Sequence, residues 1–428
     1  MHETLRVIGG DGRRSAATWG QDYMLERIAL LEANAASSNL YFTVAVPLDT
    51  NIADVGGVCR TLVRETEALR TMFVEQGLSG AEQQVEREVD VSVYYLAGDQ
   101  IEQITASLRN ILLAMPFDLS RAELVRFGVG LNSSGEPRSL TVVVSHSVSD
   151  AHSILLLRRQ VQQLLTAPGR ADRLLPHAVD YQERERTESV VGRSDRAISR
   201  WLGLLDSSET LVFDTGPKPL WRYGKWDSAR YKHAARSVAR TLAISTSSIH
   251  MWLLATVAQQ LLGLTEVTIV SRYANRDSTN RLMIGQLHQE VPIKVQPDGR
   301  HPLDDTLRHI HASLIASYRY AHYDFAKYVA RALQTMTQKE RLTRFSIVFN
   351  DLSGLGDDTE GNDLTKDSSF RWLANLDHDI STLYFSPAGI GNFDWLVDTR
   401  ALGDRSFVDL LSEIEEDACK QLNKILSC

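Results

Sequence analysis

Apolar residues recur along this chain with two periods, and each stretch predicts an element by the period it keeps. Leu40 to Leu48 alternates: Leu40, Phe42, Val44, Val46 and Leu48 fall on one side, with Tyr41, Thr43 and Ala45 on the other, which predicts a strand with one buried face. Upstream, Met24, Ile28 and Leu31 share a helical face, with Ser15 as the expected cap. Asn51 precedes a second helix striped by Val55, Val58, Leu62 and Leu69. Gln84 to Leu96 reads as one strand, and Ile101, Ile104, Leu108 and Ile111 mark a helix stopped by Pro116. Arg121–Leu131 and Ser139–Val144 read as strands joined through Ser134-Gly135, and a helix carrying Ile154, Leu157, Val161 and Leu164 follows.

The second half keeps the same mixed rhythm. A buried helix is expected near 246–263, a strand at Val267–Ser271 and helices through 303–335. Strands are expected near Arg344–Asn350, Thr382–Ser386 and Phe393–Thr399, and an amphipathic helix with Phe407, Leu410, Ile414, Ala418, Leu422 and Ile425 on one face closes the chain. Ala167 to about Ser199, rich in charge with Pro168, Gly169, Pro176 and Gly192, reads as a linker between halves. Asp351 to Asp367 is acidic and poor in large apolar residues, which predicts a mobile loop. The expected fold class is α/β, an α+β sandwich in two subdomains divided at 1–180 and 181–428.

Composition narrows the function classes. A chain of 428 residues exceeds one small core. Its net charge of −8, with no strongly basic segment, gives no electrostatic footprint for nucleic acid. Cys59, Cys419 and Cys428 have neither metal spacing nor the even count of a disulfide framework, so a reducing cytoplasm is expected. The first residues lack the apolar core of a signal peptide, and no run approaches the ~20 apolar residues of a membrane span. The phosphate-loop, HExxH, CxxC and GxSxG patterns are absent, and Gly9-Gly10-Asp11-Gly12, at an end expected to fray, is no dinucleotide fingerprint. No metal is expected.

One stretch remains. Val142-Val143-Val144 runs into Ser145-His146-Ser147-Val148-Ser149-Asp150-Ala151-His152-Ser153: a buried strand, a loop carrying an imidazole, and a helix whose N-terminus has acid and hydroxyl side chains. A rigid strand end is a favoured place to aim a general base. An ordinary hydrogen-bonded histidine explains the same residues, and spacing alone also allows Asp150 to orient the imidazole as in a triad.

The flanking segments decide between these. His146 and Asp150 resemble the HHxxxDG signature of the condensation domains of nonribosomal peptide synthetases, relatives of chloramphenicol acetyltransferase. Leu69-Arg70-Thr71-Met72-Phe73 is similar to that family's hRTxF segment, and Pro116-Phe117-Asp118-Leu119 with Leu124-Val125-Arg126 to its PFDL…LhR segment. Met283-Ile284-Gly285-Gln286-Leu287 through Ile293, Phe325-Ala326-Lys327 and Phe345–Asn350 resemble later segments in family order, with Arg276 where the family has an upstream arginine.

The resemblance implies two acyltransferase-like subdomains in a V around a central tunnel. In it His146 is the catalytic histidine, while Asp150 pairs with Arg276 to brace the loop, and Ser145, Ser149, Ala151, Ser153, Ser346 and Asn350 are candidates to line the tunnel. It implies a free-standing condensation enzyme, a cytoplasmic monomer in antibiotic-type secondary metabolism. Such an enzyme joins a phosphopantetheine thioester, carried by an acyl or peptidyl carrier protein, to a small-molecule amine or alcohol, with no membrane or nucleic-acid partner. An acyltransferase using coenzyme A thioesters is the alternative, and a non-catalytic recruitment domain a third. No DxxxxD replaces the signature and no EGHGRE-like segment occurs, which argues against heterocyclisation and epimerisation. Ser145 and Ala151 stand where the family has histidine and glycine, and Gln286-Leu287-His288 stands in place of a GxFxN-like pattern.

Overall fold

The computed structural model describes residues 2–75, 80–167, 176–208, 211, 221–297, 301–353, 368–376, 381–387, 392–402 and 406–427. The chain divides into two compact units. The first contains Met1–Gly192, Ala274–His288 and Asp324–Ala330, and the second Arg193–Tyr273, Gln289–Tyr323 and Arg331–Cys428.

Unit 1 runs β1 (His2–Ile8), β2 (Arg13–Ala16), α1 (Trp19–Leu30), β3 (Leu40–Ala45), α2 (Ile52–Glu65), β4 (Thr71–Glu75) and β5 (Ala81–Val85). It continues through β6 (Glu88–Ala97), α3 (Ile101–Leu113), β7 (Val125–Leu131), β8 (Pro137–Val144), α4 (Ala151–Thr166) and α5 (Ala178–Glu185). Five strands form a sheet in the order β1-β6-β7-β8-β3, and β2-β5-β4 form a small second sheet. Every residue of β7 is buried, as expected for a strand covered on both faces. Phe127 and Val129 join Val55, Leu62, Leu157 and Val161 of α2 and α4 in the main core. On the other face Gly128 lets α3 approach: a Cβ there would lie 2.9 Å from Leu112.

Unit 2 begins within α6 (Glu188–Asp206) and adds β9 (Trp221–Asp227), α7 (Ala229–Leu242), α8 (Thr246–Leu262), β10 (Val267–Tyr273), β11 (Gln289–Val295) and α9 (Leu303–Tyr318). Next come α10 (Phe325–Ala332), whose first turns belong to unit 1, and α11 (Gln338–Arg344), β12 (Ile347–Phe349), β13 (Ser369–Leu376), β14 (Leu383–Pro387), β15 (Asn392–Asp398) and α12 (Phe407–Ser427). Its sheet has the order β11-β10-β12-β14-β15-β9-β13, with β10, β12 and β14 parallel. Tyr231, Phe385, Phe393 and Trp395 pack as a ring cluster in its core.

Several expectations are corrected. Thr18, not Ser15, caps α1: Thr18 and Gln21 exchange bonds in a capping box, and Ser15 pairs with Gln83 inside β2. Gln84–Leu96 is parts of two strands, and the expected frayed start is β1, an edge strand with Leu5 and Val7 buried. The described part of the expected linker is helical. Val190, Ala197, Ile198, Trp201 and Leu205 give α6 a buried stripe that the surrounding charges obscured. β9 and α7 went unread, and residues 354–367 of the expected mobile loop lie outside the described residues.

The three N-terminal motif segments meet around the end of β8. Phe73 N donates to the Leu119 carbonyl at 2.8 Å, and Ser145 N to the Leu124 carbonyl at 3.0 Å. Arg126 donates to the Met115 and Pro116 carbonyls, each at 2.7 Å, with its guanidinium 3.8 Å over the Phe117 ring. Charge-assisted bonds of this kind contribute about 1.5–3 kcal/mol each. Arg126→Ala is expected to lower the unfolding free energy by about 2–4 kcal/mol, read by urea denaturation. A loss under about 0.5 kcal/mol, the ordinary surface range, would contradict the staple.

Candidate active site

β8 ends at Val144, and Ser145 turns the chain. The Ser145 hydroxyl accepts from Ser147 N at 3.3 Å and lies 2.8 Å from the Ser147 hydroxyl, which caps a short 3-10 turn over His146–Val148. Inside that turn His146 Nδ1 lies 2.7 Å from the Ser149 carbonyl. A carbonyl only accepts, so Nδ1 carries the proton in the neutral ring and Nε2 keeps the lone pair. Nε2 is therefore the atom able to take a proton from a substrate.

Asp150 is the N-cap of α4, and Ala151 is its first residue. Asp150 Oδ1 accepts from Ser153 N at 2.8 Å and from the Ser153 hydroxyl at 2.9 Å. Its Oδ2 accepts from Arg276 Nη2 at 2.6 Å and from Leu287 N at 3.4 Å. Both ion-pair partners are almost wholly enclosed, with side chains 4% and 8% exposed. Burial works to raise the Asp150 carboxyl, but the Arg276 charge and these bonds outweigh it and hold the group below the usual carboxylate range.

Arg276 belongs to a strap, 274–288, that lacks regular secondary structure. Arg276 also donates to the Asn280, Met283 and Gly285 carbonyls. Ser153 Oγ lies 2.9 Å from the Gly285 carbonyl oxygen and accepts from Gly285 N, and Asn280 donates to the Tyr181 hydroxyl on α5. On the far side Gly20 of α1 admits the strap backbone, since a Cβ there would lie 2.5 Å from the Gln286 carbonyl oxygen. The strap delivers a residue that the sequence marks only as a departure from the family pattern: the His288 ring centroid lies 5.1 Å from that of His146. Tyr23 meets His288 edge-on at 5.4 Å.

Ser145, Ser149, Ala151, Ser153, His146, Asp150 and Arg276 thus lie together in unit 1. Ser149 is buried, and among the described residues its hydroxyl has no hydrogen-bond partner. Ser346 and Asn350 lie in unit 2, where Ser346 bonds Thr343 and Thr382 and Asn350 donates to the Tyr384 hydroxyl at 3.0 Å. Among the described residues no His, Cys, Asp or Glu cluster could hold a metal, and no helix is long and apolar enough to cross a membrane.

The family model for the condensation domain matches residues 26–380. The chain belongs to the condensation-domain family. The match joins the His146 loop and the strap in one family frame. This condensation domain is 24% identical over 324 residues to bacitracin synthase 3 of Bacillus licheniformis, covering 72% of this chain and 5% of that protein. It thus spans a small fraction of that relative's length. It is similar to the condensation domain from a monacolin K polyketide synthase, with TM-score 0.71, 12% identity and coverage of 96% and 97% of the two chains. It is also similar to the epimerization domain from the third module of tyrocidine synthetase B, with TM-score 0.69, 14% identity and coverage of 98% and 100%. Both structural likenesses are of fold.

Asp22 on α1 is a second residue that motif reading missed. Burial, with Asp324 and Glu185 nearby, pushes its carboxyl up to about 8 against the pull of a bond from Ala81 N. Two stability experiments follow from these carboxyls. A raised Asp22 binds its proton in the folded state after the unfolded state has lost it, so it costs stability progressively as pH rises from about 4 to about 8. Asp22→Asn is expected to gain on wild type through that window, by on the order of 5 kcal/mol at its top; a pH-independent difference in urea midpoints would refute this. Asp150 has the opposite sign: its contribution is present above the unfolded carboxylate value of about 3.9 and fades as pH falls through its depressed folded value. Asp150→Ala leaves Arg276 buried without its counter-charge and is expected to cost about 3–5 kcal/mol at pH near 7. Wild-type melting of this variant would contradict the brace.

Proposed function

We propose that this condensation domain joins a carrier-protein-bound acyl or aminoacyl thioester to an amine or alcohol, making an amide or ester in antibiotic-type secondary metabolism. The observation that carries the reading is the His146 ring, whose Nδ1 is committed to the Ser149 carbonyl so that Nε2 is the proton acceptor. A protonated ammonium has no lone pair for attack, and an alcohol is a weak nucleophile until its proton begins to leave. Nε2 takes that proton as the new C–N or C–O bond forms at the thioester carbonyl. The C–S bond then breaks, and the imidazolium returns the proton to the departing phosphopantetheine thiolate. Asp150 and Arg276 take no part in the transfer; they hold the loop from which His146 projects.

The donor is a substrate brought by its carrier, so the chemistry calls for no resident cofactor. The Ser145 and Ala151 departures alter the frame of the loop rather than its base or its brace, which is why we read the domain as active. Coenzyme A thioesters share the pantetheine arm and are the alternative donor.

The deciding experiment presents carrier protein loaded with a panel of acyl groups, and the matching coenzyme A thioesters, to soluble amines and alcohols, with product followed by mass spectrometry. Carrier-dependent turnover that falls about 100-fold or more in His146→Ala, with melting unchanged, is expected. Turnover indifferent to His146→Ala would refute the assignment of the base. Turnover from coenzyme A alone would replace the carrier by the alternative donor, and none with any donor would favour the recruitment domain.

A further inference from the structure

His288 is not part of the signature that identifies the family segments, yet its ring is the aromatic neighbour that the strap sets beside His146, 5.1 Å between centroids at an interplanar angle of 50°. Its backbone has little freedom. Gln286 donates to the His288 carbonyl at 3.1 Å, Asn275 to the Leu287 carbonyl at 3.0 Å, and α1 presses on Gln286 and Leu287 at Gly20. Behind the His288 ring stands Tyr23, 1% exposed, itself met edge-on by Phe325 at 5.2 Å. The rings form a chain, Phe325–Tyr23–His288–His146, that starts in enclosed side chains and ends at the proposed base.

We propose that His288 is a positioning residue whose ring fixes the plane of the His146 imidazole, and so the direction of Nε2. The hydrogen bond from Nδ1 to the Ser149 carbonyl holds one edge of the His146 ring. The His288 ring bears on its flank and restricts tilt about that edge. Direction matters because a proton acceptor displaced by about 1 Å can cost about 100-fold in rate. Here the residue before His146 is Ser145, whose hydroxyl is spent on Ser147, so the flanking ring comes from the strap. This inference rests on the reading of His146 as the base, and its test is chosen to be separable from that reading.

The full chain labelled with isotopic histidine reports the tautomer and line width of the His146 ring, its resonances assigned by their loss in His146→Asn. In wild type and in His288→Phe, the neutral His146 ring is expected as a single Nδ1-protonated tautomer with sharp lines. In His288→Ala it is expected to broaden or to mix tautomers. His288→Gln, of similar reach but without the ring, replaces the alanine variant if that one melts early. With any donor that the wild type uses, kcat is expected to fall about 10- to 100-fold in the ring-less variant with KM within about two-fold, and to recover in His288→Phe. A folded ring-less variant whose His146 lines and tautomer match wild type would overturn the proposal. Equal broadening in His288→Phe would overturn it too, by placing the role in the imidazole nitrogens. Failure of wild-type acyl transfer would remove the base reading while leaving the spectra to decide on His288.

Discussion

Two opposite charges that have both left water, Asp150 and Arg276, meet at 2.6 Å, and the arrangement around His146 follows from how each is satisfied. Burying either charge alone costs several kcal/mol, so each must find its partners before the loop has one shape. Asp150 does so by capping α4 through Ser153 N, which places its carboxylate at the positive end of the helix. Arg276 does so by gathering three strap carbonyls in addition to the carboxylate. The pair therefore ties a helix start that follows the histidine in sequence to a strap that lies more than a hundred residues downstream. Ser153 bonds both, through Asp150 and through Gly285, and acts as the pin of the joint.

What the sequence disclosed divides by the range of the forces involved. α3 runs Ile101–Leu113 and Asn51 caps α2, as expected, because period and cap chemistry are local, although Leu112 rather than the 53% exposed Ile111 completes the buried face of α3 with Ile104 and Leu108. Thr18 displaced Ser15 as a cap because the choice depends on Gln21 reaching back to the Thr18 amide. α6 was hidden because its buried stripe is interleaved with Arg193, Arg196 and Arg200, and charge density outweighed period in the reading. At the site, His146, Asp150 and Arg276 were legible only through family resemblance, since residues 150 and 276 have no local pattern in common. His288, Tyr23 and Asp22 were not legible at all. Their significance lies in tertiary neighbours, and the one available signal was that His288 stands in a segment departing from the family pattern.

The fold by itself leaves the reaction open. A similar chain trace serves an epimerization domain, so the backbone is a platform and the chemistry is set by side chains placed on it. In this chain the motif segments outside the loop are taken up by structural duties. Arg70 is wholly enclosed and donates to the Val63 carbonyl at 3.1 Å, while Arg126 staples Met115 and Pro116. Charged side chains that spend donors on carbonyls of their own unit have fewer left for a substrate. That division directs attention back to the turn that follows β8, where His146 stands.

The same accounting separates this loop from a catalytic triad. In a triad a carboxylate accepts the hydrogen bond from Nδ1–H and stabilises the imidazolium that forms during proton transfer. Here Nδ1 points to a neutral carbonyl, and both Asp150 oxygens already accept two bonds each. A carbonyl fixes the tautomer as well as a carboxylate does but offers less stabilisation to the charged ring. In the proposed reaction, proton transfer to Nε2 gains less from a counter-charge and depends more on where the ring is held. A site built that way has more to gain from orientation than from basicity, which is the physical reason that a fixed ring on the flank of His146 bears on its chemistry.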